Sequence, residues 1–289
     1  MPTKIEKDAI TGKETTGHEW DGIKELDTPL PKWWALVFYA TIAWALAYSV
    51  LYPSWPWLSG YFHGVLGYST RAQIELRLAD QKAQRAPMLD RIKAATPQQI
   101  ERNPDLLNFA IAGGHAAFAD NCVPCHGPGG AGSKGFPNLA DDDWLWGGDL
   151  DNIYKTISFG IRNANASSRQ SAMPRFGVDN ILKPEQINDV AEYVLSFTGK
   201  STDPVAAGRG AQVFAENCAA CHGDKGQGNI EIGAKQLNNG IWLYGGDKKT
   251  IVETITYARN SSMPAWSERL DEPTIKMLAI YVHSLGGGK

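Results

Sequence analysis

The chain has 289 residues, enough for about two domains with cores of their own, and 30 glycines that point to loop-rich architecture. Lysine and arginine number 28 against 31 aspartates and glutamates, so the chain lacks the positive surface that nucleic-acid binding demands. Its four cysteines, Cys122, Cys125, Cys218 and Cys221, all fall inside two copies of one motif, which leaves none for a structural disulfide elsewhere.

Taken in chain order, the first 32 residues are hydrophilic. They precede an uncharged run, Trp33 to Tyr52, that reads WWALVFYATIAWALAYSVLY. As a helix, twenty residues span about 30 Å, the thickness of a bilayer core. Lys32 and the Trp33–Trp34 pair flank one end and Trp55 and Trp57 the other, as interfacial belts do. A transmembrane helix is therefore expected over residues 33–57. A buried helix of a soluble core usually carries a polar position in such a length. A cleaved signal peptide is disfavoured by the long leader and by the lack of a small-residue cleavage pattern. Lys4, Lys7, Lys13, Lys24 and Lys32 precede the helix, whereas Arg71 is the one basic residue in the twenty that follow it. By the positive-inside rule the leader, residues 1–32, is cytoplasmic and the remainder periplasmic.

Residues 58–108 read as a helical spacer. STRAQIELRLADQKAQRAPMLDRIKAA mixes charges of both signs with Ile74, Leu76, Leu78, Met88, Leu89 and Ile92, and Ser69 or Thr70 can cap its start. Such a helix lies near the membrane, against a partner, or simply in water.

A long internal repeat follows. GHAAFADNCVPCHG aligns with GAQVFAENCAACHG, placing Gly114 over Gly210, Phe118 over Phe214 and Cys122 over Cys218. WLWGGD (Trp144 to Asp149) then matches WLYGGD (Trp242 to Asp247), IRN at Ile161 matches ARN at Ala258, MP at Met173 matches MP at Met263, and EYVLSF matches IYVHSL. Order is preserved throughout. Two copies of one domain, 109–200 and 201–289, explain this better than a solenoid, which needs three or more short units. Each copy reads as a helix with glycine and phenylalanine, a cysteine turn, a loop, a helix near Asp151 to Arg162 or Lys248 to Arg259, a Met-Pro loop and a final helix with an apolar face. The fold class is all-α.

CxxCH is the signature of covalent c-type haem attachment. Two cysteines on one helical turn place both sulfurs on one face, within reach of the two vinyl groups of one porphyrin, and His126 or His222 then presents a nitrogen to the iron. A shared zinc site would use four cysteines but leave both histidines and both Met-Pro loops without purpose. A redox dithiol expects a βαβ context that the pattern lacks. For the sixth iron ligand, Met173 in SAMPRF and Met263 in SSMPAW stand at equivalent places in polar loops, whereas Met88 lies in the charged spacer and Met277 in an apolar pattern. Self-contained ligation, each Met to the haem of its own copy, is the simple expectation. His18, His63, His115 and His283 are spare, and His115 reads as a surface or loop residue. The Asp141–Asp143 run is a solvated loop. The first copy carries 7 basic and 10 acidic residues between 111 and 200 against 9 and 9 in the second, which makes that run a possible landing site for a basic donor.

A leader containing TTGHEWDGIKELDTPLPKWW, one membrane helix and two class I cytochrome c domains together resemble the dihaem subunit of cbb3-type cytochrome c oxidase, over essentially the whole chain. The leader phrase is more specific than the haem motifs. The resemblance implies a single-pass protein of the bacterial inner membrane carrying two haem c, with Cys122, Cys125, His126 and Met173, and Cys218, Cys221, His222 and Met263, as attachment and axial residues. It implies electron transport in the respiratory chain. A soluble or membrane-bound donor cytochrome c passes electrons to this chain, which relays them to the monohaem subunit and to the haem-copper catalytic subunit, where oxygen is reduced and protons are pumped. The chain alone has no oxygen site of its own. Class I domains often orient the ligand histidine with a proline-bearing loop. Pro137 fits, but Lys235 stands at the aligned place in the second copy, which puts the support of His222 in doubt. A dihaem shuttle to another reductase or dehydrogenase shares the haem motifs, and a dihaem peroxidase needs an open iron that two methionines argue against.

Overall fold

The computed structural model describes residues 4–287, which divide near Lys82 into two compact units. In the first, strands β1 (Thr15–Trp20) and β2 (Ile23–Leu26) form an antiparallel hairpin within the leader. Asp21 and Gly22 both have positive φ (50° and 84°), the turn that an Asp-Gly pair supports best. Sequence analysis assigns this hydrophilic leader no secondary structure, although the Asp-Gly signal is there.

Helix α1 (Lys32–Leu51) is long and apolar enough to cross a membrane, and none of its residues is buried. It is apolar on every side, as a lipid-facing helix must be and an amphipathic surface helix is not. The helix stops at Leu51 rather than continuing to Trp57. Pro53 lacks a donor and disfavours a helical residue before it. Beyond it, strands β3 (Pro56–Trp57) and β4 (Gly60–Tyr61) pair in a short hairpin with both tryptophans exposed.

Helix α2 (Thr70–Ala94) runs past Lys82, and its last turns belong to the second unit. There follow α3 (Pro97–Arg102), α4 (Pro104–Asn121), the single turn α5 (Val123–His126), α6 (Leu150–Phe159), α7 (Pro184–Ser196), α8 (Pro204–Asn217), the turn α9 (Ala219–His222), α10 (Lys248–Tyr257) and α11 (Glu272–Ser284). Polar N-caps start most of them. Thr96 makes a full capping box with Gln99, and Asn103, Asp149, Asp203, Asp247 and Asp271 each accept from backbone N–H groups of the first turn.

These helices form two lobes, and the lobes do not follow the borders of the repeat. Helix α4 of the first copy packs on α11 of the second, while α8 of the second packs on α7 of the first. Glycines make both crossings possible. A Cβ on Gly114 would strike the Met277 carbonyl and the Tyr281 side chain, and one on Gly210 would strike the Asp189 carbonyl. In lobe A, Phe118, Ile153 and Ile157 meet Ile275, Leu278 and Val282. In lobe B, Val190, Val194 and Leu195 meet Phe214, Ile251 and Ile255. Phe118 and Phe214 are fully buried, and truncating either to alanine should cost about 3–5 kcal/mol.

Lobe A has a third layer. Ile92 of α2, Ile100 of α3 and Leu106 and Ala110 of α4 close over Met277 and Ile280. Lys276 Nζ donates to the carbonyls of Lys93 (2.7 Å) and Ala95 (3.0 Å), satisfying groups that the end of α2 leaves free. The carboxyl end of the spacer is thus part of a core, not a solvated helix, whereas Ile74, Leu76 and Leu78 near its start are exposed.

Candidate functional site

Each CxxCH turn follows directly on a lobe's glycine-phenylalanine helix. His126 N–H bonds back to Cys122 O (2.8 Å) and His222 N–H to Cys218 O (2.9 Å), so each motif closes one helical turn with both cysteines and the histidine on a fixed frame. Gly127 and Gly223, at φ 73° and 75°, then turn the chain away at once, which a side chain would resist.

The ring of His126 donates from Nδ1 to the Pro137 carbonyl at 3.1 Å, and that of His222 donates from Nδ1 to the Lys235 carbonyl at 2.8 Å. A carbonyl only accepts, so each ring carries its proton on Nδ1 and holds Nε2 bare for a metal. Burial lowers the pKa of both histidines, against the pull of these carbonyls, and the Lys235 cation adds to the lowering at His222. The support expected to weaken at Lys235 is intact, because the bond uses the backbone carbonyl and needs no proline.

Burial pushes the thiols of Cys122 and Cys218 up to about 11, with the neighbouring Cys125 and Cys221 adding to it. A redox dithiol wants the opposite, a thiol lowered towards its thiolate. Among the described residues, no three His, Cys, Asp or Glu side chains converge as a metal-binding group. The two CxxCH turns therefore do not pool ligands.

The methionines are placed across the repeat. Met173, from the first copy, packs in lobe B and lines a cavity of about 230 Å³ with Cys218, Cys221 and His222 of the second. Met263, from the second copy, packs on the lobe A core, as do Cys122 and Val123 of the first. The loops are tied down reciprocally. Met263 pairs with Ile161 through two backbone bonds (3.0 and 2.9 Å) and accepts from Asn163 Nδ2 (2.7 Å). Met173 donates its N–H to Asn260 Oδ1 (3.3 Å) and accepts from Asn260 Nδ2 (3.4 Å). Asn163 of the first copy and Asn260 of the second thus each hold the Met-Pro loop of the other copy, and each methionine packs in the lobe that carries the other copy's CxxCH turn, whereas self-contained ligation expects it beside its own. Gly160 allows the approach, since a Cβ there would strike the Met263 carbonyl.

The lining of the lobe B cavity suits a haem. Its lining is mainly apolar, with Val190, Val194, Phe214 and Ile251 beside the thiols and the imidazole. Trp242 Nε1 is buried in the wall with no partner among the described residues, an orphan donor of the kind a haem carboxylate satisfies. Arg162 and Arg259 also line it, the latter over the Tyr244 ring at 4.8 Å.

Part of the acidic run is engaged within the protein. Asp143 is buried in an ion pair with Lys235 (2.6 Å) and accepts from Asn239 (2.7 Å), while the Asp141 carbonyl accepts from Trp144 Nε1. Asp142 is exposed. His115 is an exposed helical residue, edge-on to Tyr281, and His283 meets Glu101 at 3.1 Å. Sequence reading missed Asn163, Asn260 and the Lys235–Asp143 pair. The repetition of Arg-Asn in both copies was the available signal for the first two.

Three family models match in order: the N-terminal domain of cytochrome oxidase-cbb3, FixP, over residues 12–59; cytochrome c over 111–198; and cytochrome c oxidase, cbb3-type, subunit III over 205–282. The chain is 55% identical to the cbb3-type cytochrome c oxidase subunit CcoP of Azospirillum brasilense, covering 98% of this chain and 99% of that one. It is 52% identical to subunit FixP of Bradyrhizobium diazoefficiens and 49% identical to CcoP of Cereibacter sphaeroides, with each chain covered in full. Two haem-binding cytochrome c domains behind one apolar helix, matched along their whole length, place this chain in the family of cbb3-type cytochrome c oxidase subunit III, the membrane-anchored dihaem electron-transfer subunit.

Proposed function

We propose that the chain is an electron-entry relay with one haem c in each lobe. In lobe A, Cys122 and Cys125 carry the haem and His126 and Met263 are the axial residues. In lobe B, Cys218 and Cys221 carry it, with His222 and Met173. When bound, each haem takes up and gives back one electron, and the redox chemistry is the cofactor's own. The chain's residues hold and insulate it. The carbonyls of Pro137 and Lys235 fix the imidazole orientation, the methionines raise the potential, and the aliphatic walls keep water from the metal and limit reorganisation.

A periplasmic donor cytochrome c, soluble or membrane-bound, delivers the electron. The monohaem and haem-copper subunits receive it, and oxygen is reduced there rather than on this chain. The leader faces the cytoplasm and both lobes the periplasm, as five lysines before α1 and the requirement for haem attachment outside the cytoplasm both favour. The observation that carries this reading is the assembly of one CxxCH turn and one Met-Pro loop in each lobe. Detergent purification through a tag on this chain, with spectroscopy of what is recovered, tests it. Two low-spin His/Met haems accompanied by a haem-copper subunit are expected. A high-spin ferric haem, or recovery without that subunit from oxygen-respiring membranes, contradicts it.

A further inference from the structure

The two lobes meet through equivalent loops. Gly135 N–H donates to Leu243 O (2.9 Å), and a Cβ on Gly135 would press on Tyr244; in the mirrored place, a Cβ on Gly233 would strike the Trp146 ring. Aligning WLWGGD with WLYGGD sets Asp143 opposite Ile241 in the repeat, and Pro137 opposite Lys235. Each lobe thus sets a repeat-equivalent glycine against the other's repeat-equivalent aromatic ring, but the interface is not symmetric in charge. On one side Lys235 meets Asp143 at 2.6 Å, with side chains only 16% and 12% exposed. Their counterparts, Pro137 and Ile241, are both apolar, and all four residues line one cavity of about 460 Å³.

Lys235 is also the residue whose carbonyl receives the His222 Nδ1 proton. A largely buried cation thus sits on the loop that orients one haem ligand, and its counter-ion comes from the other lobe. Pro137, which does the same for His126, carries no charge. We propose that the Lys235–Asp143 pair is a positioning and electrostatic element that sets the potential of the lobe B haem apart from that of the lobe A haem. This rests on the reading that each lobe binds one His/Met haem.

The sign follows from charge. A cation near an iron disfavours the ferric state and raises the potential, and an anion lowers it; low-dielectric surroundings enlarge both effects. In the pair the two nearly cancel. Removing one member uncovers the other.

The test is a spectroelectrochemical titration of the full-length, haem-loaded chain, with the lobe B transition identified as the one that Met173→His moves. Lys235→Met should lower the lobe B potential and Asp143→Asn should raise it. Each should change the ferric-to-ferrous equilibrium roughly threefold to tenfold, about 30–60 mV for one electron. The double variant should return close to the starting value, and the lobe A transition should move less in every case. The exchanged pair, Lys235→Asp with Asp143→Lys, keeps an ion pair with its polarity reversed and covers the case in which a single variant fails to fold. It should lower the lobe B potential. A purely structural role moves both single variants the same way, and that result overturns the proposal, as does no shift or an equal shift of both haems. Loss of the His/Met spectrum from the unmutated chain would instead overturn the underlying haem assignment, so the two failures are distinguishable.

Discussion

The two lobes share one plan, yet they solve the burial of their last helix differently. Glu192 in α7 and Ile280 in α11 occupy the same position of the repeat. Ile280 is covered by apolar residues of α2, α3 and α4, so lobe A uses the spacer as a third layer. Glu192 is fully buried in lobe B, where the linker between the copies wraps it: Ser201 Oγ (2.7 Å), the N–H groups of Thr202 and Asp203, and Lys248 Nζ (2.9 Å) all donate to its carboxylate. Burial alone would raise the pKa of this carboxyl, but the bonds from Lys248, Ser201, Thr202 and Asp203 outweigh it and bring it to about 2. A repeated fold does not need a repeated core. What it needs is that each buried group be satisfied by whatever chain lies beside it.

That contrast can be broken, beginning with the largest expected effect. Met173→His should lower the potential of the lobe B haem alone, within the roughly 0.8 V range that axial ligands command, and Met263→His should do the same for lobe A. Redox titration of the two single variants reads this directly. Glu192→Ala should destabilise lobe B by about 2–4 kcal/mol, since several donors lose a buried acceptor, with lobe A spared. Denaturant titration followed at each haem separates the two.

Acid should act in the same direction. The folded pKa of Glu192 lies below its unfolded value of 4.5, so its contribution is complete above that value and is lost as pH falls from there towards about 2. Lobe B is expected to melt first in that window, and Glu192→Gln should remove this part of the pH dependence. Lys276→Met should cost about 1–2 kcal/mol in lobe A by freeing the carbonyls of Lys93 and Ala95, whereas its repeat counterpart Asn188 donates to Pro184 within its own helix. Asp142→Asn, exposed and without a described partner, should stay within about 0.5 kcal/mol.

Much of the fold was legible in the residues. The uncharged run gave the apolar helix, the duplicated CxxCH and Met-Pro signatures marked the candidate site residues that each lobe gathers, and three-to-four periodicity marked the final helices. The pairing of those residues was not legible, for a physical reason. When two copies carry the same glycine, phenylalanine and apolar face, the interface of α4 with α11 is chemically equivalent to that of α4 with α7, and periodicity cannot choose between them. The choice lies in what differs between copies, such as Glu192 against Ile280 and Lys235 against Pro137. Lys235 looked like a weakened support because side-chain identity was the visible signal, while the supporting atom is a backbone oxygen. The leader hairpin went unread because its strands are short and largely exposed, so alternation was faint there.

The central claim is that the lobes exchange their methionines. Its most direct test uses full-length chains that keep only the second attachment motif, with Cys122→Ala and Cys125→Ala, and follows the Met–iron charge-transfer band of the single remaining ferric haem. Crossed placement predicts that Met173→Leu abolishes the band and Met263→Leu leaves it. Loss of the band with Met263→Leu and its survival with Met173→Leu would contradict the account.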